Sequence, residues 1–100
     1  MESIRVLIMN YRDITHPGAG GSEVFTHEVA KRWVQKGNEV SLICEKYSKA
    51  KNEREEIDGV NIYRTGGKYS VYWKARKIYK QNFKGKVDLV IDEINTIPFL

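Results

Sequence analysis

The sequence predicts an α/β fold, a parallel sheet covered by helices on both faces. Short apolar runs at residues 4–9 (IRVLIM), 39–44 (EVSLIC) and 88–92 (DLVID) are apolar enough for strands buried on both faces. Two longer stretches, residues 22–36 and 70–83, space their apolar residues three and four apart, as helices do. Strands and helices alternate along the chain, which is the pattern of βαβ units.

The first strand, residues 4–9, runs into a long loop, NYRDITHPGAGGSE, at residues 10–23. Ser22 or Gly21 is a suitable N-cap for the helix at 22–36, and Glu23 in its first turn suits the helix dipole. Phe25, Val29 and Trp33 form its apolar stripe, widened by Ala30 and Val34. Lys36 is a favourable last-turn cation, and Gly37 ends the helix. After the second strand, residues 45–58 carry five acids and four bases and read as an exposed connection, part of it a candidate helix. Asp58-Gly59 signals a turn, and residues 60–64 (VNIYR) alternate like a strand near an edge. Thr65-Gly66-Gly67 breaks that strand. The helix at 70–83 puts Tyr72, Ala75, Tyr79 and Phe83 on one face, with Ile78 beside them, and Gly85 ends it. The fourth strand, residues 88–92, leads into a loop and a candidate helix at 93–100.

Right-handed crossovers place these four strands in the order 3-2-1-4, a Rossmann-like arrangement with its switch point between strands 1 and 4. Ligands of such sheets bind at that crevice, outside the carboxyl ends of the strands. The glycine loop and the sequence Asp92-Glu93-Ile94-Asn95 both reach it. One hundred residues is the length of a single domain, residues 1–100. The apolar ending Ile94, Ile97, Pro98, Phe99, Leu100 has no partner, so the expectation is an incomplete domain of a longer protein.

Composition narrows the function classes. With 41% hydrophobic and 30% charged residues, a packed core is expected and disorder is not. No apolar run approaches the ~20 residues of a membrane span, and the N-terminus lacks the basic and apolar regions of a signal peptide. The one cysteine, Cys44, lies in an apolar strand and reads as a buried, inert thiol in a reducing compartment; a cytoplasmic location is expected. His16 and His27 stand eleven apart without a third ligand, so no metal is expected.

The glycine loop carries the chemistry. Gly18, Gly20 and Gly21 directly before a helix leave backbone N–H groups uncovered at its positive end, a place where phosphates bind. The dinucleotide fingerprint fails, because Glu23 stands where its last glycine belongs and the loop is long. Glu45 at the end of the second strand is the one point in favour of a dinucleotide, as a ribose-binding acid. A Walker A loop fails for want of Gly-Lys-Ser/Thr. The alternative without a ligand is that these glycines serve only a tight loop-to-helix turn.

The motifs RVLIMNY, the loop ending GAGGSE, VFTHEVAKRWVQKGNEV, DGVNIYR and DLVIDE together resemble the N-terminal domain of GT-B glycosyltransferases, of the retaining family 4 or group 1 type. The resemblance covers nearly all 100 residues. Its most specific parts are Gly20-Gly21-Ser22-Glu23 and the KGNEV at residues 36–40. It implies a two-domain hexosyltransferase with its active site between the domains. The C-terminal domain would hold most of the nucleotide-sugar, a substrate rather than a cofactor, and the N-terminal domain would bind the acceptor, a saccharide or a lipid-linked one. Gly20 and Gly21 would approach the donor diphosphate. This half alone would be inactive. Many members carry a histidine after a later strand; here Asp92-Glu93 ends the fourth strand and no histidine follows, so the catalytic group of this half is open.

Several side chains have two readings. Glu93 orients an acceptor hydroxyl, or caps the next helix or pairs with Arg12; Asn95 accompanies it on the acceptor side. Asp92 points into the sheet end as a structural acceptor. His16 contacts phosphate or acceptor, or is a plain exposed loop residue. Glu23 contacts the acceptor, or serves the helix dipole. His27 is partly exposed and structural. Seven basic residues and no acidic one lie between residues 68 and 86. Lys74, Lys77, Lys80 and Lys84 follow one helical face, with Tyr69 and Trp73 nearby. They form a solvated face, or a surface for anionic lipid at the inner membrane face. Nucleic acid is not expected as a partner, because no nucleic-acid module matches. Other Rossmann-type nucleotide enzymes and a non-enzymatic anion-binding module are the competing functions.

Overall fold

The computed structural model describes residues 3–47, 52–93 and 99–100. Along the chain run β1 (Arg5–Met9), α1 (Gly21–Gln35), β2 (Glu39–Glu45), β3 (Arg54–Ile57), β4 (Val60–Thr65), α2 (Val71–Ile78) and β5 (Leu89–Asp92). A π-helical turn, Tyr79–Phe83, continues α2. The sheet order is β3-β4-β2-β1-β5. The four expected strands keep their expected order and pair in parallel, Val6 opposite Val40 and Leu89, Leu42 opposite Ile62.

The difference is β3, which adds an antiparallel edge strand in the connection read as exposed or helical. Its sequence, REEI, gives no apolar alternation, because only Ile57 reaches the core. The hairpin is made instead by Asp58 and Gly59, whose φ angles of +52° and +82° are those of a type I′ turn. Gly59 is required twice over. A Cβ there would lie 2.5 Å from Cγ1 of Val34 on α1.

The core has two halves, one on each face of the sheet. On the α1 side Val6, Ile8, Val40, Leu42, Cys44, Val60 and Ile62 pack with Ala30. On the α2 side Leu7, Met9 and Ile43 pack with Val71, Ala75, Phe83 and Phe99. The continuous apolar runs of β1 and β2 supply both halves, which is why they show no alternation.

Helix α1 starts one residue earlier than expected, with Gly20 and not Gly21 or Ser22 as its N-cap. Its buried face is also turned. Phe25 is 69% exposed, whereas Glu23, Thr26, His27 and Ala30 are buried, with Trp33 and Val34 packed on the core. The polar members of this face are buried because tertiary partners receive them. His27 Nε2 meets Asp58 Oδ2 at 2.8 Å, and Thr26 Oγ1 donates to Glu93 Oε1 at 2.8 Å. His27 is therefore structural, as expected, but buried. At the other end Asn38 N donates to Trp33 O and Gly37 N to Val34 O, a Schellman ending.

Candidate functional site at the glycine loop

The loop after β1 is held from inside by Asp13. Its Oδ1 accepts from Thr15 N at 2.7 Å and from the Thr15 hydroxyl, and its Oδ2 accepts from Arg64 Nε at 2.9 Å. Burial alone would raise the Asp13 carboxyl; the bonds from Arg64 and Thr15 outweigh it and hold the carboxyl below its ordinary value. The Cys44 thiol donates to the same Oδ2 at 3.4 Å, and burial with the Asp13 charge pushes that thiol well up. The inert, buried cysteine expected from sequence is thus found. Sequence reasoning missed the Asp13–Arg64 pair. Its signal is Arg64 following Val60 and Ile62 on the inward face of β4, where a cation needs a buried acid.

His16 sits at the loop's centre and is mostly buried, not a plain exposed residue. Its Nδ1 accepts from Gly18 N at 2.8 Å, so the proton of the neutral ring is on Nε2, which donates to Glu45 Oε1 at 3.3 Å. Tyr47 packs edge-on against the ring, with 5.2 Å between centroids. Glu45, the residue a dinucleotide ribose would need, is buried and occupied by this contact. Arg12 closes the outer side. Its Nη1 donates to Gly18 O at 3.2 Å and lies 3.7 Å from Glu23 Oε1.

Glycines 20 and 21 then open α1. Gly20 takes an extended backbone, and no side chain caps the helix. The first amides of α1 therefore lack both intrahelical and capping partners. A Cβ on Gly20 or on Gly21 would meet nothing within 4 Å. Neither an unusual backbone angle nor internal packing calls for glycine at either position. The space these glycines leave lies on the outside of the loop.

Glu93 follows β5 at the switch point. Its backbone N donates to Met9 O at 2.8 Å, and its carboxylate accepts from Thr26, not from Arg12. Burial raises the Glu93 carboxyl above its ordinary value; the Thr26 bond opposes this, and the charge of Glu23 adds to it. Glu23 and Glu93 are thus close enough for their charges to interact, with Arg12 beside Glu23 and the Thr26 hydroxyl on Glu93. The cavity that Arg12, Glu23 and Thr26 line is about 10 Å³, room for one water and no more. Asp92 is the structural acceptor expected of it, its Oδ2 taking Phe99 N at 2.8 Å and Leu100 N at 3.0 Å. Asn95 lies outside the described residues.

The basic residues are elsewhere. Lys77, Lys80 and Lys84 are exposed on α2 and its π-helical turn, and Lys74 is half-buried. Tyr69 is 78% and Trp73 59% exposed beside them. They belong to the opposite face of the sheet from α1.

The loop-to-helix turn and the strands around it have a counterpart among known proteins. The sequence pattern of Glycosyltransferase Family 4 matches residues 19–99, from the glycine turn through β5. A search of curated proteins finds no match. With an α/β sheet of the expected parallel order and a family match over most of its length, the chain belongs to glycosyltransferase family 4.

Proposed function

We propose that this chain is the acceptor-side, N-terminal domain of a retaining hexosyltransferase that uses a nucleotide-sugar donor. The observation that carries the reading is the vacant outer side of Gly20 and Gly21, at uncapped amides opening α1. The donor diphosphate comes to those amides, which stabilise the charge that builds on it as the sugar leaves. A C-terminal GT-B domain holds the rest of the donor, and this domain alone is inactive. The acceptor, a saccharide or a lipid-linked one, lies against Glu23, Glu93, Asn95 and the loop at His16. Glu93 is the candidate catalytic group, and its raised carboxyl suits a hydrogen bond to an acceptor hydroxyl. The reaction takes no resident cofactor and no metal.

The enzyme is cytoplasmic and touches the inner membrane face through Lys74, Lys77, Lys80 and Lys84. Exposed Tyr69 and Trp73 beside exposed lysines support this, because amphipathic rings and cations anchor at an anionic interface. Among the described residues no helix is long and apolar enough to cross a membrane. Changing Lys77, Lys80 and Lys84 to Ala abolishes salt-sensitive binding to anionic vesicles; undiminished binding removes the membrane role.

For the donor, the backbone amides of Gly20 and Gly21 are followed by NMR while UDP-sugars, GDP-sugars and NAD are titrated. A response to a sugar nucleotide is expected. A response to NAD alone assigns the loop to a dinucleotide and overturns the reading.

A further inference from the structure

A cavity much larger than the one at the glycine loop lies elsewhere on the sheet. It is a groove of about 530 Å³ between α2 and the β3–β4 hairpin. Helix α2 packs over Leu7, Met9 and Ile43 and leaves part of the outer strands uncovered on that face.

Four cations line this groove: Lys46 after β2, Arg54 on β3, Arg64 on β4 and Lys74 on α2. Glu53 is the one carboxylate among its lining residues. Arg64 is answered from the far side by Asp13 at 2.9 Å and Glu55 at 2.8 Å, and Lys46 by Glu53 at 3.3 Å. Arg54 and Lys74 have no carboxylate within ion-pair distance among the described residues. With Lys46 and Arg64 answered, Arg54 and Lys74 leave the groove an excess of positive charge, which concentrates anions.

The groove is also built firmly. Arg54 donates one Nη to the Tyr63 hydroxyl at 2.7 Å, and its guanidinium lies 4.4 Å over the Tyr63 ring. That fixes the fork while leaving its other N–H groups to bind, so little freedom is lost on binding. Ser70 Oγ accepts from Gly67 N at 2.8 Å, which leaves its own O–H to donate. Gly66 has φ +67°, and a Cβ there would lie 2.7 Å from Val71 N, so the turn below Ser70 admits no side chain.

We propose that this groove is a binding site for a phosphomonoester group, carried by a small molecule or by a lipid headgroup. The dianion meets the Arg54 fork, the Lys74 ammonium and the Ser70 hydroxyl, and the volume takes a group the size of a sugar phosphate. The assignment stands on charge and shape at elements other than the glycine loop, and is independent of the transfer reaction.

The test is titration of the protein with inorganic phosphate, glucose 6-phosphate and methyl glucoside, following the amides of Gly66, Gly67 and Lys74. Vesicles of phosphatidylcholine carrying phosphatidic acid, or matched in charge with phosphatidylglycerol, a phosphodiester, form the second arm. Glucose 6-phosphate binding, with methyl glucoside silent, identifies a soluble ligand. Binding to phosphatidic acid vesicles in excess of the phosphatidylglycerol vesicles, without glucose 6-phosphate binding, identifies a headgroup. In either arm Arg54→Gln and Lys74→Gln each weaken binding by about tenfold or more, the loss expected for a charge-assisted hydrogen bond. Lys36→Gln, at the end of α1, leaves it unchanged. The proposal is overturned if no phosphate is bound in either arm, if the response falls on Gly20 and Gly21 instead, or if both variants bind as the parent does.

Discussion

Asp13 and Arg64, fifty-one positions apart, form an ion pair in which both side chains are almost wholly withdrawn from solvent, at 0% and 1% exposure. The pair joins the start of the glycine loop to β4 across β2. Removing one partner leaves the other buried and unanswered. Asp13→Ala therefore lowers stability by about 3–5 kcal/mol, read by chemical denaturation at pH 7. The Asp13 carboxyl is held below its ordinary value near 3.8, so its contribution is whole above that pH. It is lost as pH falls through the lower folded value. The parent's stability falls steeply below pH 4 on this account, and that part of the fall is missing from an Asp13→Asn protein.

Gly21→Ala separates the turn's structural role from its binding role. The added methyl meets nothing within 4 Å and lies at the first residue of α1. Stability should hold or rise by up to about 1 kcal/mol, because alanine loses less backbone entropy. On the proposed function the methyl stands where the donor diphosphate approaches, so donor KM rises about tenfold if the approach is lost at a cost near 1.4 kcal/mol. Thermal unfolding of this domain and steady-state kinetics of the two-domain enzyme carrying the same change decide it; an unchanged KM would return the glycines to a turn role.

Glu93→Gln gives a second pair of opposite signs. A carboxyl whose folded pKa is raised above its ordinary 4.5 favours folding only while protonated, and that benefit disappears as pH rises through the folded value. Gln removes the penalty and keeps an acceptor for Thr26. The variant's melting temperature is expected to exceed the parent's at pH 7–8, with the two converging below pH 4.5. If Glu93 engages the acceptor, kcat falls when the same change is made in the two-domain enzyme.

Gly59→Ala carries strain from two sources, a φ of +82° and a Cβ 2.5 Å from Val34 Cγ1. A loss of about 1–3 kcal/mol is expected. Adding Val34→Ala removes the clash but not the backbone strain, and leaves a gap of its own. The double-mutant cycle should therefore show a favourable coupling between the two changes.

Much of the fold is legible in the chain because β1 and β2 are apolar on both faces and Asp58-Gly59 specifies its turn locally. The parallel order follows from alternation and crossover handedness. Two features were not legible. Strand β3 is paired through backbone groups and carries a polar sequence, so no side-chain pattern announces it. The buried face of α1 is chosen by partners distant in sequence, Asp58 for His27 and Glu93 for Thr26, and these outweigh the apolar stripe through Phe25. At the loop, the place of Gly20 and Gly21 at the start of α1 was legible from residue type. The occupied states of His16 and Glu45 were not, since each depends on the path of the loop that Asp13 sets.

The two halves of the core differ in when their parts leave the ribosome. Apart from Ile91, the side chains of the α1 half come from residues 6 to 62, so this half is supplied once the β3–β4 hairpin has been made. The α2 half needs Val71, Ala75 and Phe83, and then Phe99. Until they arrive, Leu7, Met9 and Ile43 on the opposite face of β1 and β2 have only Tyr11 and Tyr63 beside them. The nascent chain thus passes through a stage with one side of its sheet sealed and the other open, a stage at which holding chaperones have an apolar surface to grip.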